Sequence, residues 1–167
     1  MSSGEVGRLI AIARRPARRA PMEEIDAVEI TLSRGVEGDH KGVKFRNRAV
    51  TVLAREAWAE ALADLAGPDG PPPLAWTVRR ANLLVAGLRL PRARGAILRI
   101  GPVRLEVTCR TQPCRRMEEA WPGLLKALHS DWRGGVTCRV LAEGTVRIGD
   151  VAAIEHAPEE RTPRLPG

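Results

Sequence analysis

The sequence predicts a β-rich mixed α/β fold, a distorted β-barrel of mostly antiparallel short strands with a few short helices. The first observation is a series of short apolar segments of strand-like composition, separated by glycine and proline turns. The second is that two segments alone have a helical pattern, so the regular strand–helix alternation of a parallel sheet is missing. The third is a length of 167 residues with 44% hydrophobic residues, enough to build a core without disulfides.

The N-terminal third of the chain alternates between strand-like segments and loops. Residues 6–12 are a short apolar run and residues 26–32 alternate apolar with polar side chains, so both are predicted as strands. Between them, residues 13–21 hold four arginines and two prolines and are predicted as a loop, either solvated or anion-binding. Three glycines make residues 33–42 a second loop, and residues 49–54 are predicted as a β-branched strand.

Two helices are predicted further along the chain. Trp58, Leu62 and Leu65 lie on one face of the first helix, and Gly67 follows as its terminator. The second helix is predicted over residues 121–132, with a proline near its start. The remaining strands are predicted from short apolar segments between tight turns, at residues 74–88, 95–101, 103–108 and 136–155.

We predict a single domain over residues 1–156, followed by a polar, proline-rich segment at residues 157–167 that is expected to be disordered. No apolar run approaches the roughly 20 residues of a membrane span, and the N-terminus lacks a signal-peptide core. The three cysteines cannot all pair, and none of their spacings is CxxC. These features predict a soluble cytoplasmic protein with reduced cysteines and no membrane association.

The charge of the chain favours anionic partners. A formal net charge of +7 suits nucleic acid, a phosphorylated cofactor or an acidic partner protein. Four Trp, one Phe and no Tyr argue against nucleic acid, because a base-stacking platform needs more aromatic side chains. The familiar nucleotide-binding and hydrolase motifs, GxxxxGK[ST], GxGxxG between a strand and a helix, HExxH and GxSxG, do not occur.

Cys114 is the candidate reactive residue. It lies in "TQPCRR", where the preceding proline predicts a fixed turn, and Arg115 and Arg116 favour the thiolate form. Such a thiolate is suited to metal binding or to nucleophilic chemistry. Cys109 and Cys138 lie in apolar runs and are expected to be core residues. A zinc site is not favoured, because the spacings match no structural-zinc pattern among the candidate ligands Cys109, Cys114, Cys138, His40 and His129.

Several short motifs occur in an order that resembles the MOSC domain, named for the C-terminal domain of molybdenum cofactor sulfurases. The resemblance covers about residues 6–153, nearly the whole chain. It implies a strongly bent barrel, similar to the β-barrel of pyruvate kinase, that binds the molybdenum cofactor, a pterin dithiolene with a terminal phosphate. The motifs are "GVEGDH" (35–40), "RRANLLVAG" (79–87), "LRIG" (98–101), "LEVT" with "TQPC" (105–114), "RGGVTCRVL" (133–141) and "GTVRIGD" (144–150).

The resemblance also implies roles for individual residues. Cys114 matches the cysteine that ligates molybdenum, and Arg80 and Asn82 match an "RxN" motif, with Arg79 an additional cation; these three are expected to bind the pterin phosphate. Each role has a structural alternative, a turn cap, a backbone hydrogen-bond partner or a solvated side chain. The other residues expected at the cofactor are Asp39, His40, Lys41 and Arg139.

The function that the resemblance implies is a molybdenum-dependent oxidoreductase that reduces N-hydroxylated small molecules to amines. No flavin, haem or iron–sulfur motif occurs, so a partner protein is expected to supply the electrons. The alternative is a sulfur-carrier or cofactor-delivery protein, in which Cys114 forms a persulfide.

Overall fold

The structure is a computed structural model, and it describes residues 6–40, 45–112 and 114–160. Within these ranges the chain forms eleven strands and three α-helices. The strands are β1 (Val6–Arg14), β2 (Glu23–Ile25), β3 (Ala27–Thr31), β4 (Gly35–Val36), β5 (Val50–Ala54), β6 (Leu83–Ala86), β7 (Ile97–Ile100), β8 (Val103–Arg110), β9 (Val136–Ala142), β10 (Gly144–Arg147) and β11 (Val151–His156). The helices are α1 (Arg55–Asp64), α2 (Arg115–Ala120) and α3 (Leu124–His129), with 3₁₀ turns at Arg46–Arg48, Trp76–Arg79 and Ser130–Trp132.

Seven strands close into a barrel in the order β11-β7-β8-β9-β5-β6-β1. The closing pair is β1 with β11, which run antiparallel with Val6 opposite Ala153. β2 pairs with the far end of β1 as an extra strand, and β10, β3 and β4 form a separate small sheet. β5 and β6 run parallel, whereas the other described pairs are antiparallel. The predicted antiparallel-rich β-barrel is confirmed.

Two hydrophobic cores share the strands β5 and β6. Alternate side chains of β5 point in opposite directions, so Val50 and Val52 fill the barrel while Leu53 packs under the helices. In β6, Leu83 faces the barrel and Leu84 faces the helices. A strand buried on both faces is continuously hydrophobic, which explains the unbroken apolar runs of both segments. The second core, which lies between the barrel and the helices, is completed by side chains of the three helices, among them Trp58, Met117, Leu124 and Leu128.

The predicted helices agree with the structure less well than the predicted strands do. The first predicted helix is α1, which begins at Arg55 and ends at Asp64. The second, predicted over residues 121–132, is the shorter α3, followed by a 3₁₀ turn. The prediction of two helices was wrong because α2, residues 115–120, was missed. Met117 is the one buried side chain of this six-residue helix, so its sequence carries no apolar periodicity.

The chain continues beyond the barrel after β11 ends at His156. In the segment expected to be disordered, Glu160 forms ion pairs with Arg89 and Arg92, and its carboxylate accepts a hydrogen bond from the Arg92 backbone N–H at 2.9 Å. Residues 161–167 of that segment lie outside the described residues. Among the described helices, none has the length and apolar character needed to cross a membrane.

Candidate functional site

A cleft of about 270 Å³ opens where loops meet the ends of β1, β5, β8 and β9. Five of its lining residues are arginines, whereas Asp39 is the one carboxylate among them. Such an excess of fixed cations in a concave site attracts anions. The lining residues are Arg15, Met22, Asp39, Phe45, Arg48, Thr51, Arg79, Arg80, Asn82, Cys109, Arg110, Thr111, Gln112 and Thr137.

Arg79 is the buried cation of the cleft. Its side chain is 8% exposed, and its Nε donates to the carbonyl oxygen of Gly134 at 3.0 Å. Gly134 is its one hydrogen-bond partner among the residues that the structure describes, and none of their carboxylates forms an ion pair with it. Burial lowers the pKa of Arg79, and an electrostatic interaction with Cys114 partly opposes this. Because a buried charge without a counter-ion is costly, this guanidinium favours an anionic ligand.

Arg80 has a strained backbone. It ends the 3₁₀ turn with φ 66° and ψ 28°, the left-handed conformation, and its N–H donates to the Thr77 carbonyl at 3.0 Å. This conformation costs a residue with a Cβ about 1 kcal/mol. Its half-buried side chain lines the cleft and forms no ion pair with any described residue. Strain of this kind is concentrated at functional sites, where the surrounding structure fixes the conformation.

Asn82 joins three strands through its side chain. Oδ1 accepts a hydrogen bond from the Thr51 backbone N–H of β5 at 3.0 Å, and Nδ2 donates to the Ala13 carbonyl of β1 at 3.3 Å. The residue is buried and immediately precedes β6, which pairs with both of these strands. Both ends of the amide therefore bind backbone groups at the floor of the cleft, as in the structural alternative for this residue.

Asp39 fixes the arginine-rich loop that follows β1. Its Oδ1 accepts a hydrogen bond from the Arg15 backbone N–H at 2.9 Å, and the His40 N–H donates to the Arg15 carbonyl at 2.8 Å. Gly38 precedes it with φ 80°, a backbone conformation that favours glycine because it has no Cβ. Asp39 lines the cleft, whereas His40, the next residue, is half-buried and is not one of the lining residues. Lys41 lies outside the described residues.

The three cysteines have three different environments. Cys114 is exposed immediately before α2 and interacts electrostatically with Arg79 at the edge of the cleft, although it is not one of the lining residues. Cys138 is buried in the barrel, as expected. Cys109, also expected in the core, is half-buried and lines the cleft, with Sγ 3.0 Å from Thr137 Oγ1. All three are described, and no disulfide joins them; the described residues hold no cluster of metal-ligating side chains.

Arg139 was predicted at the site but lies outside the cleft. It is exposed and forms an ion pair with Glu106, and it lines a neighbouring depression together with Arg94. Thr137 lies on the same face of β9 and does line the cleft. Two residues along a strand correspond to about 6.6 Å, which carries Arg139 past the edge of the site.

A β-bulge brings the segment Cys109–Gln112 into the cleft. The register between β8 and β9 shifts between Val107 and Cys109, and all four residues of the segment line the site. Bulges re-aim side chains in this way. Arg48, Arg110 and Thr111 were not among the predicted site residues, although Thr111 begins the "TQPC" motif. Arg15 belongs to the loop for which anion binding was an alternative.

Together, the closed seven-strand barrel, its few short helices and the basic cleft define a small β-barrel protein with an anion-attracting site. The sequence profile of the MOSC domain matches residues 37–153, well over half of the 167 residues. The chain belongs to the MOSC domain family. No curated protein shows significant sequence similarity to it.

Solved structures share this fold at low sequence identity. The YUAD protein from Bacillus subtilis superposes with a TM-score of 0.72 at 16% identity, covering 91% of this chain and 97% of that one. YiiM from Geobacillus stearothermophilus has a TM-score of 0.67 at 18% identity, with 90% and 75% covered. YiiM from Escherichia coli has a TM-score of 0.65 at 18% identity, with 93% and 73% covered. At these identities the likeness concerns the fold.

Proposed function

We propose that the cleft binds the molybdenum cofactor and that the protein is a molybdenum-dependent oxidoreductase. The observation that carries the proposal is Arg79, a buried guanidinium that has no carboxylate partner among the described residues and interacts electrostatically with the exposed thiol of Cys114. A phosphorylated ligand with a thiolate-binding metal needs both features in one place. Membership of the MOSC family supports this choice of ligand.

The residues present fit this cofactor. Planar guanidinium groups bind phosphate oxygens through two parallel hydrogen bonds, and five of them line the cleft. Two buried polar atoms of the lining, Arg110 Nε and Thr111 Oγ1, have no hydrogen-bond partner among the described residues. A soft thiolate is a suitable ligand for molybdenum held by a dithiolene.

In this function the residues divide into three roles. Arg79 and Arg80 hold the phosphate, Cys114 ligates the metal, and Asp39 and Asn82 keep the surrounding loops in position. When bound, the cofactor supplies a two-electron redox centre. The substrate class that fits the family resemblance is an N-hydroxylated small molecule, reduced to the amine with electrons from a partner protein.

The test is the metal and pterin content of the protein after expression in a host that makes the cofactor. We expect molybdenum and pterin in a one-to-one ratio with the chain, measured by elemental analysis and by fluorescence of the oxidised pterin. Reduction of an N-hydroxylated amidine with an artificial electron donor should require the loaded protein. Protein that lacks both components, while other molybdoenzymes of the same cells are loaded, would contradict the proposal.

The exposure of Cys114 favours a second function, that of a sulfur carrier. A thiol at the protein surface is accessible to a sulfur-donating protein, whereas the barrel encloses Cys138. The Cys114 thiolate would attack a persulfide of the donor, form its own persulfide and release the donor thiolate. Cyanide treatment distinguishes the two functions, because a carrier yields thiocyanate and holds no stoichiometric molybdenum.

A further inference from the structure

The segment Cys109–Gln112 comprises the last two residues of β8 and the two residues that follow this strand. Side chains of a regular strand alternate between two faces, so at most every second residue faces one site. Here the register of β8 shifts after Val107, the strand ends at Arg110, and four consecutive residues line the cleft. Neighbouring residues of this segment therefore border one site.

Two consecutive residues of this segment carry buried polar atoms without a partner. Thr111 is 3% exposed, and its Oγ1 forms no hydrogen bond with any described residue. The same holds for Nε of Arg110. The large majority of buried side-chain polar atoms are hydrogen-bonded in folded proteins, so two adjacent exceptions require an explanation.

The chemistry of both atoms specifies what they bind. An arginine Nε–H only donates, so it needs an acceptor. The Arg110 guanidinium is held from outside the cleft, because its Nη2 donates to the His129 carbonyl and its Cζ lies 5.7 Å from the centre of the Trp132 ring. The Thr111 hydroxyl, among the arginines of the cleft, donates most favourably to a negatively charged oxygen.

We infer that Arg110 and Thr111 form an oxyanion-binding contact of the cleft and position its ligand through a phosphate oxygen. This inference rests on the proposed function and extends it to two residues that were not among the predicted site residues. Arg79 and Arg80 supply positive charge from the end of the 3₁₀ turn Trp76–Arg79. Thr111 supplies a neutral, directional hydrogen-bond donor. The contact therefore determines the orientation of the phosphate and selects ligands that carry one.

The experiment measures binding of inorganic pyrophosphate to the full-length protein by calorimetry at fixed ionic strength. Thr111→Val keeps the shape of the side chain and removes the hydroxyl, so we expect the dissociation constant to rise about tenfold to a hundredfold. Thr111→Ser keeps the hydroxyl and should bind within a few-fold of the wild type. Arg110→Lys keeps the charge without the Nε–H and should weaken binding as well.

Thr137→Val is the matched control for folding. The Thr137 hydroxyl also faces the cleft but has partners, since it donates to the Cys109 carbonyl at 3.1 Å and lies 3.2 Å from Thr108 Oγ1. Its loss should lower the unfolding temperature by several degrees, whereas Thr111→Val should leave it unchanged or raise it. Wild-type affinity in Thr111→Val, or unfolding as early as in Thr137→Val, would overturn the inference. If the wild-type protein binds no pyrophosphate, the cleft is not an anion-binding site, and the proposed function is contradicted as well.

Discussion

The carboxylate of Asp39 accepts a hydrogen bond from the backbone N–H of Arg15 at 2.9 Å, which fastens two loops together. One loop follows β1 and contributes Arg15 to the cleft, and the other follows β4 and contributes Asp39. The reciprocal bond from the His40 N–H to the Arg15 carbonyl completes the connection. One wall of the site is therefore positioned by a link between segments distant in sequence.

Asp39→Ala should release this wall. The Arg15 N–H loses a charged acceptor in a partly buried position, so we expect the free energy of unfolding to fall by about 1 kcal/mol. Amide exchange at Arg15, followed by NMR, should accelerate. Asp39→Asn keeps an oxygen acceptor and should preserve slow exchange at Arg15, while the loss of negative charge should tighten pyrophosphate binding. Unchanged exchange at Arg15 in the alanine variant would contradict the anchoring role.

Two substitutions at Arg80 separate the effect of backbone strain from the effect of side-chain charge. Arg80→Gly removes the guanidinium and relieves the left-handed conformation, whereas Arg80→Ala removes the guanidinium and retains the strain. We expect the glycine variant to be about 1 kcal/mol more stable than the alanine variant in chemical denaturation. Both should bind the cofactor about tenfold to a hundredfold more weakly than the wild type. Normal cofactor affinity in both variants would show that Arg80 does not contact the ligand.

Cys114 and Cys138 should respond in opposite ways to the same substitution. Cys114→Ser changes an exposed side chain, so the unfolding temperature should stay near that of the wild type while molybdenum retention is lost. Cys138→Ser places a hydroxyl inside the barrel opposite Val50 and Val107, which should cost about 1–3 kcal/mol. Elemental analysis and thermal unfolding of both variants make the comparison. Equal molybdenum content in wild type and Cys114→Ser would exclude the ligand role.

The contact of Glu160 with the barrel should depend on pH. The hydrogen bond from the Arg92 backbone N–H is the main cause that lowers the pKa of Glu160 below its ordinary value of 4.5. A lowered pKa means that the contact stabilises the folded state above that value and is lost as the pH falls through the lower pKa of the folded protein. Because the carboxylate is partly exposed, the contribution is about 0.2–1 kcal/mol.

The NMR shift of the Arg92 amide reports this contact directly. We expect it to titrate below pH 4.5 in the wild type and to stay constant in Glu160→Gln. The neighbouring Glu159→Gln is the control, because Glu159 is exposed and the titration should persist. If the titration is lost in Glu159→Gln and persists in Glu160→Gln, the Arg92 amide contacts Glu159 and the assignment to Glu160 is wrong.

The barrel strands were predictable because their signal is local. In β8, buried Val103, Leu105 and Val107 alternate with less buried residues, which is the period-two pattern of a strand with one buried face. The continuous runs of β5 and β6 are equally recognisable, since both of their faces are covered. The helix α2 lacks such a pattern, and nothing in its sequence marked it.

The site residues were predictable where motifs marked them. The predictions were wrong where the position of a side chain depends on the register between β8 and β9. Asp39, Arg80 and Asn82 were expected together and do line one cleft. Cys109 was assigned to the core because an apolar run precedes it, but the bulge turns it outward. Arg139 was assigned to the site because of its motif, and its distance along β9 places it outside. Neither outcome can be derived without knowing how β8 pairs with β9.

The pairing of β1 with β11 has a consequence for folding during synthesis. The first and last strands of the barrel close it, so the final hydrogen bonds form only after the segment Val151–His156 has left the ribosome. Until then β1 and β7 each present an unpaired edge, which is a template for association with other chains. Contacts so distant in sequence also form slowly, because a long loop must close first. The yield of native protein in cells should therefore be limited by the time that nascent chains spend with these two edges open.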